Sequence, residues 1–303
     1  MRSKLIALLG LLAGFCIVPI AALAGSSTLL GVGSPPPAGG YTGPADAVTG
    51  ANHCYSFRAC QATFATGSNV AVTIRRASDN ATTNLVILAN GNLDAASGNT
   101  FCNATTCFVT EWFDQIGTDH VVQATAATQP QISFSCVNSQ PCLVNTSTTG
   151  LATGTITALS QPISYSAVWN RTTATSHGIL VADDTSAGTH IDFQDCGSAT
   201  TICLHGSGGT NITATASSSA WHSTQAVMNG ALSVVNVDGT QTTGNPGTVA
   251  GGTGRGIGEG STGGNNWIGS ISEVVVYNSA LTTPQQGTLC HNQYTYWGTS
   301  VLC

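Results

Sequence analysis

Charged side chains are scarce in this sequence of 303 residues, where Asp, Glu, Lys and Arg together make up 7% of the chain. Lysine occurs only at Lys4, and the formal net charge is −6. Binding to nucleic acid or to anionic lipid needs basic patches, which so few cations do not supply. The sequence therefore predicts a partner that is neither nucleic acid nor membrane, and its neutral polar composition suits a glycan.

Several catalytic and cofactor motifs are also missing. The sequence has no Gly-x-Ser-x-Gly elbow, no His-Glu-x-x-His helix, no P-loop and no dinucleotide fingerprint within a βαβ unit. It has no Cys-x-x-Cys pair for zinc and no clustered Asp/Asn loop for calcium. We therefore predict that the protein uses no cofactor and has no metal site.

Residues 1–24 have the features of a secretory signal peptide. Arg2 and Lys4 form a basic start, an apolar run covers 5–20, and Ala22-Leu23-Ala24 is a small-x-small cleavage site. A membrane anchor is the alternative, but the run is short for a span and no charged stop follows it. We expect a secreted protein, either free, periplasmic or held at the cell surface, that leaves the membrane once the signal is cleaved.

The rest of the chain divides into a linker and one large domain. Residues 25–44 are rich in Gly, Ser and Pro, which predicts a tether without a core. Residues 45–303 are long enough for one β domain, and from residue 69 short alternating runs are separated by Gly, Asn, Ser or Thr clusters. The predicted strands lie at 70–74, 84–88, 107–113, 121–122, 131–134, 163–169, 179–181, 190–193, 202–205, 226–227, 232–237 and 267–277. The glycine-rich tract 244–256 predicts a loop.

A helix is predicted near each end of the domain. Apolar residues recur at steps of three and four over 45–63, which is typical of an amphipathic helix. Near the other end, Thr283 can cap a helix that has Pro284 at its first position and runs to about Tyr296.

Ten cysteines follow the signal peptide, an even number that favours disulfides in a secreted chain. Three local pairs are predicted: Cys102 with Cys107, Cys136 with Cys142, and Cys196 with Cys203. Cys54 and Cys60 fall within the predicted first helix, where six residues rise about 9 Å, beyond the roughly 7 Å that a disulfide spans. Either the helix is broken there or both bond elsewhere, and we expect at least one bond between this helix and the last segment, which holds Cys290 and Cys303.

The run Gly269–Asn278 followed by a helix resembles the closing unit of concanavalin A-like, or laminin G-like, jelly rolls. Within it Glu273 alternates with the apolar Val274 and Val276, so we expect Glu273 to face solvent. The predicted fold class is all-β, a concanavalin A-like β-sandwich (jelly roll) with a short helix near each end.

Three stretches resemble one enzyme family. They are the run Ser78–Thr83, the Cys102–Cys107 loop with the residues just before it, and Phe113-Asp114-Gln115. Together they resemble the catalytic domain of α-L-arabinofuranosidase B, a family 54 glycoside hydrolase. The likeness is good over about 50–125, weak in the middle and generic at the end. It implies retaining hydrolysis of terminal α-L-arabinofuranosyl links in plant-type polysaccharide.

The strand around residue 192 offers the most informative set of polar groups. Its period of two places His190, Asp192 and Gln194 on one face, and Ile191 and Phe193 on the other. The polar face suits sugar binding, or else it is the solvated outer face of an edge strand. The resemblance implies that Asp192 is the nucleophile, because it stands where the family's Gly-His-Met-Glu motif has its Glu, although Asp is one methylene shorter.

Glu259 is the matching candidate for the acid/base. The family has an Asp in Gly-Ile-Gly-Gly-Asp, and the similar run Gly256–Gly260 offers Glu259, slipped by one position; the family's adjacent Cys-Cys pair has no counterpart. Asp114 and Trp221 are further candidates for substrate binding. For Asp114 the alternative is a structural role in satisfying turn amides, and for Trp221 it is ordinary sheet packing.

Two other functions fit the same fold. One is a non-catalytic glycan-binding module or surface adhesion module of the lectin or laminin G type, and the other is a purely structural envelope protein. Because the motif matches are incomplete, the sequence leaves enzymatic activity open, and it does not determine the glycan or the oligomeric state.

Overall fold

The computed structural model describes residues 40–184, 190–261 and 263–299. The predicted signal peptide and most of the predicted tether lie outside these ranges. At the end of the predicted tether, Tyr41 is 8% exposed and packs in the core, and helix α1 starts at Pro44. No helix in the described ranges is long and apolar enough to cross a membrane.

The described chain is a β-sandwich with three α-helices and four short 3-10 helices. The strands are β1 His53–Ser56, β2 Val70–Arg76, β3 Thr82–Val86, β4 Cys107–Trp112, β5 Val121–Val122, β6 Gln131–Ser133, β7 Cys142–Asn145, β8 Leu151–Ala152, β9 Ile163–Arg171, β10 Ile179–Asp184, β11 His190–Asp195, β12 Thr201–Gly206, β13 Ile212–Thr215, β14 Trp221–Met228, β15 Ser233–Val237, β16 Thr240–Gly244, β17 Gly254–Ile257 and β18 Gly269–Tyr277. The α-helices are α1 Pro44–Ala47, α2 Ala95–Phe101 and α3 Thr283–Trp297. The 3-10 helices are Ala62–Phe64, Ala126–Thr128, Val137–Ser139 and Gly230–Leu232.

Antiparallel pairing arranges the strands in two main rows. One row runs β16-β15-β14-β9-β18, and β18 also pairs with β1 and β7. The other row runs β5-β8-β17-β10-β11-β12-β13. Large side chains fill the core, among them Trp112, Trp169 and Trp267, each fully buried. These observations confirm the predicted all-β sandwich.

Helix α3 confirms the helix predicted near the end. Its cap is Thr282 rather than Thr283, because the backbone N–H of Thr282 donates to Oε1 of Gln285 at 2.9 Å in a capping box. Gly298 ends the helix in a left-handed conformation, with φ of 65°. The helix covers the outer face of the β9-β14-β18 sheet, where Gln293 donates to the hydroxyl of Ser166 at 3.0 Å.

The helix predicted over 45–63 is wrong. Within 45–63 only Ala45–Ala47 are α-helical and a 3-10 helix begins at Ala62, while β1 pairs with β18 so that Cys54 lies opposite Val275. The chain turns after β1, which brings the Cα atoms of Cys54 and Cys60 to 6.2 Å and lets the two cysteines bond to each other. The expected bond from this segment to the end of the chain is therefore also wrong, while Cys290 is disulfide-bonded as well.

The three local disulfides are confirmed. Cys102–Cys107, Cys136–Cys142 and Cys196–Cys203 join cysteines whose Cα atoms are 5.8, 6.0 and 5.6 Å apart. Each closes a short loop, as their spacing indicates.

The prediction that Glu273 faces solvent is wrong. It is fully buried on the outer face of β18, because α3 covers that face. Its carboxylate accepts from Nε of Arg58 at 2.6 Å and from Nε2 of Gln293 at 3.0 Å. A strand face that alternates with the core is solvated only when nothing packs on it.

Candidate active site

In the row of strands β5-β8-β17-β10-β11-β12-β13, the pairing register determines which residues share a face of the sheet. Opposite residues in paired strands point to the same side of a sheet. Pairing therefore places one line of residues on the core side and the adjacent line on the outer side. The core line is Leu151, Ile257, Val181, Phe193 and Leu204; the outer line is Val122, Ala152, Gly256, Ala182, Asp192 and His205. All residues of the core line are buried. Ile191 is buried too, so β11 turns Ile191 and Phe193 to the core as predicted.

A buried ion pair stiffens the core side beneath this outer face. Nε of Arg255, in β17, donates to Oδ1 of Asp183, in β10, at 2.7 Å. The hydroxyl of Tyr165 also donates to Asp183, at 3.0 Å. Burial opposes the charge on Arg255, but Asp183 outweighs it and raises the pKa of the guanidinium. The pair thus ties β10 to β17, the two strands that lie between the candidate carboxylates.

Glu259 reaches the outer face because glycines bring its loop back over the sheet. A Cβ on Gly256 would clash with the backbone carbonyl of Glu259, and Gly258 has a φ of 77°, which disfavours other residues. Gly244 ends β16 and Gly254–Gly256 belong to β17, so the prediction of a loop over 244–256 is wrong at both ends. The missing side chain lets the loop lie flat on the strand.

The Glu259 carboxylate lies in a pocket of about 500 Å³. Nε2 of Gln123 donates to Oε1 at 3.4 Å, and Nδ2 of Asn266 donates to Oε2 at 3.3 Å. Burial raises the pKa of the Glu259 carboxyl, and these two hydrogen bonds offset part of the rise. The remaining lining is largely neutral and hydroxyl-bearing, and it includes Thr125, Thr128, Thr148, Thr153 and Ser261.

Asp192 lies on the same face, outside this pocket. It is 6% exposed, and its Oδ2 is 3.5 Å from Nε2 of His190 and 3.6 Å from Nδ1 of His205. Its Oδ1 is buried without a hydrogen-bond partner in the described part of the chain. A buried carboxylate oxygen without a donor is costly unless a ligand uses it.

Asp184 lies between the two candidates. It belongs to β10 and pairs with His190, and the backbone N–H of Ser261 donates to its Oδ1 at 3.0 Å. Burial, together with the nearby charge of Asp192, raises the pKa of Asp184. Ser261 also lines the Glu259 pocket, so Asp184 connects that pocket to the surroundings of Asp192.

The other predicted site residues lie in different settings. Gln194 is 4% exposed on β11, two residues beyond Asp192. Trp221 begins β14 in the first row of strands and is partly buried against the core. Asp114 is 5% exposed, and both of its oxygens are in use: Oδ1 accepts from the backbone N–H of Cys54 at 2.9 Å, and Oδ2 lies 2.7 Å from Nδ1 of His53. These contacts hold β1 in place. They correspond to the structural role that the sequence offered as the alternative to substrate binding for Asp114.

Sequence reasoning missed His205, Asp184, Gln123 and Asn266. His205 lies opposite Asp192 only because β11 and β12 form a hairpin with this register. The disulfide Cys196–Cys203 spans that hairpin, and its spacing was the one signal that could have placed His205 near Asp192. The other three residues come from distant parts of the chain, and no local pattern links them.

Comparison with a family model shows to which protein family the chain is related. A model of the family described as "Alpha-L-arabinofuranosidase B, catalytic" matches residues 45–241, more than half of the chain. The chain belongs to this family. The matched range includes Asp192, whereas Glu259 lies beyond its end. No curated protein matches the chain.

Solved structures agree with the family on the fold. A family 54 α-L-arabinofuranosidase soaked with a cyclic sulfate inhibitor superposes with a TM-score of 0.69 at 19% identity, over 83% of this chain and 64% of that chain. An arabinofuranosidase complexed with arabinofuranosyl-α-1,2-xylobiose gives 0.69 at 18% identity, with the same coverage. At these identities the likeness establishes the fold. The arabinofuranosidase-family domain described here thus spans 64% of the length of these relatives.

Proposed function

We propose that this protein is a secreted α-L-arabinofuranosidase-like glycoside hydrolase that acts on arabinose-containing polysaccharide. The supporting observation is that Asp192 and Glu259 lie on one face of one sheet, in different environments. Glycoside hydrolysis needs one carboxyl group that is ionised and one that holds a proton. Family membership favours the arabinofuranosyl substrate, and the neutral, threonine-rich pocket suits a sugar rich in hydroxyl groups.

In this proposal Asp192 is the nucleophile. Its carboxylate attacks the anomeric carbon while the bond from that carbon to the glycosidic oxygen breaks, and Glu259 donates its proton to the departing oxygen. Glu259 then removes a proton from a water molecule, which attacks the same carbon and releases Asp192. Nearby His190 and His205 hold the carboxylate in position without occupying Oδ1.

The stereochemistry of the product tests the assigned pair. Asp192 and Gly256 lie two strands apart, or about 10 Å between backbones, and the Glu259 side chain lies beside Gly150 and Gln123, on the β8 side of β17. Carboxyl groups about 5 Å apart give retention and wider pairs give inversion. NMR of the first-formed anomer distinguishes the two, and retention is the outcome that the family resemblance implies.

The first experiment is a hydrolysis assay with the full chain. We expect turnover of 4-nitrophenyl α-L-arabinofuranoside and no comparable turnover of 4-nitrophenyl β-D-xylopyranoside. Asp79→Asn is the matched control for the variant Asp192→Asn. It changes an exposed carboxylate that pairs with Arg76 on the β2–β3 hairpin and should leave the rate unchanged. Retardation in an arabinan affinity gel without turnover would instead indicate the non-catalytic glycan-binding module.

The pH dependence of kcat/KM is expected to report Glu259. The general acid works only when protonated, so activity falls as the pH rises through its pKa. Because burial raises this pKa, the fall should come above the ordinary value for a glutamate. In Glu259→Gln the basic limb should disappear, with a loss of about 10²–10⁴-fold on poor leaving groups and a smaller loss on 2,4-dinitrophenyl arabinofuranoside. An unchanged basic limb in this variant would remove Glu259 from the mechanism.

A further inference from the structure

Two histidines and an aspartate form a compact cluster on the outer face of the β11–β12 hairpin. Nε2 of His190 lies 3.1 Å from Nδ1 of His205, and the two nitrogens are 3.5 and 3.6 Å from Oδ2 of Asp192. The three atoms are thus the corners of a nearly equilateral triangle, and each belongs to a residue type that binds transition metals.

The size of this triangle matches a metal coordination sphere. An ion bound by two imidazoles and a carboxylate at about 2.0–2.1 Å in tetrahedral geometry holds its ligand atoms roughly 3.3–3.4 Å apart. The observed sides deviate from this spacing by 0.1–0.3 Å in either direction. The spacing of the three atoms therefore fits one tetrahedral ion with a fourth position open, and such an ion would replace the hydrogen bond between the two imidazoles.

The fold holds these ligands in place. Asp192 lies opposite His205 across the β11–β12 pairing, and His190 precedes Asp192 by two residues on the same strand face. The disulfide Cys196–Cys203 closes the far end of the hairpin and fixes this register. Ligands on paired strands are more rigid than ligands on a loop, which favours metal binding.

Burial and charge favour a cation here. Asp192 is 6% exposed and its Oδ1 is without a hydrogen-bond partner in the ranges described, so a cation or the water bound to it would satisfy that oxygen. Asp184 lies close enough to Asp192 and His190 to interact electrostatically with both, which adds negative potential. The side chains of His190 and His205 are 28% and 25% exposed, so an ion can enter from solvent.

We propose that His190, Asp192 and His205 form a binding site for one divalent first-row transition ion, of which Zn²⁺ suits the geometry best. Two imidazole nitrogens disfavour Ca²⁺ and Mg²⁺, which prefer oxygen ligands. Binding itself is independent of the proposed hydrolase function. One consequence rests on that function: an ion on Asp192 occupies the nucleophile, so saturating Zn²⁺ should inhibit hydrolysis and a chelator should restore it.

Binding is tested first on the wild-type chain stripped of metal. Isothermal titration with Zn²⁺ should give one ion per chain. Titration with Co²⁺ should give the strong visible absorption of a tetrahedral ion rather than the weak absorption of an octahedral one. A stoichiometry of zero, or a purely octahedral Co²⁺ spectrum, would overturn the proposal without the use of any variant.

Variants then locate the site. His205→Ala should raise the Kd for Zn²⁺ by at least ~10–100-fold, the loss typical even of partners that only support a ligand. His291→Ala, which removes an exposed histidine on α3, is the matched control and should bind as the wild type does. Wild-type affinity in folded His205→Ala, or equal losses in both variants, would contradict the assignment. Zinc binding without hydrolysis would support the metal site and reject the proposed hydrolase function. Hydrolysis without zinc binding would support the hydrolase function and reject the metal site.

Discussion

Replacing Asp192 with asparagine is expected to reduce hydrolysis of 4-nitrophenyl α-L-arabinofuranoside by at least ~10⁴-fold. Asparagine keeps the size of the side chain and removes the negative charge that attacks the anomeric carbon. The other parts of the proposed site, including the Glu259 pocket, remain. A loss of this size corresponds to about 5.5 kcal/mol of transition-state stabilisation. The measurement is kcat/KM in the same assay as for the wild type.

Azide separates a lost nucleophile from a damaged site. In Asp192→Asn a small anion can take the place of the carboxylate, and azide attacking the same face of the anomeric carbon yields the β-L-arabinofuranosyl azide, with inverted configuration. Rescue with this product would assign Asp192 as the nucleophile. A variant that unfolds at the wild-type temperature and hydrolyses at the wild-type rate would exclude Asp192, and so would a retained azide product.

The parts of the fold that the sequence predicted well are those set by local chemistry. The alternation along β11 correctly placed Ile191 and Phe193 in the core, since period two depends only on the strand itself. The spacing of Cys196 and Cys203 correctly predicted their bond. Helix α3 followed from its capping residues and its proline, with an error of one residue at the cap.

The errors arose where distant segments decide the structure. Residues 45–63 have helical spacing, but β18 offers β1 a complete ladder of backbone partners, and pairing overrides the periodicity. Gly256 was assigned to a loop because glycine weakens strands, yet the close approach of the Glu259 backbone requires a glycine there. His205 became visible only through the hairpin register, so no spacing rule for metal ligands could have detected the cluster.

A single change at Glu273 should destabilise the protein strongly. Its carboxylate and the Arg58 guanidinium are both fully buried, and Arg58 donates to it at 2.6 and 3.0 Å. The hydroxyl of Ser56 and Nε1 of Trp297 donate to the same carboxylate. In Glu273→Gln the guanidinium stays buried without a counter-charge, which costs about 3–5 kcal/mol. At roughly 2–4 °C per kcal/mol for a domain of about this size, Tm should fall by about 6–20 °C in thermal unfolding.

The double variant Arg58→Met/Glu273→Leu tests the physical cause. It removes both charges, so it should be more stable than Glu273→Leu alone, in which the buried guanidinium keeps its charge without a partner. The pH dependence gives a second test. Burial raises the pKa of Glu273, but Arg58 and the other donors outweigh burial and lower it, so its stabilisation is complete above the unfolded pKa and is lost as the pH falls through the folded one. The stability difference between wild type and Glu273→Gln should therefore be constant near neutral pH and shrink in acid. A difference that is small at pH 7, or that grows on acidification, would show that the ion pair is not what holds α3 against β18.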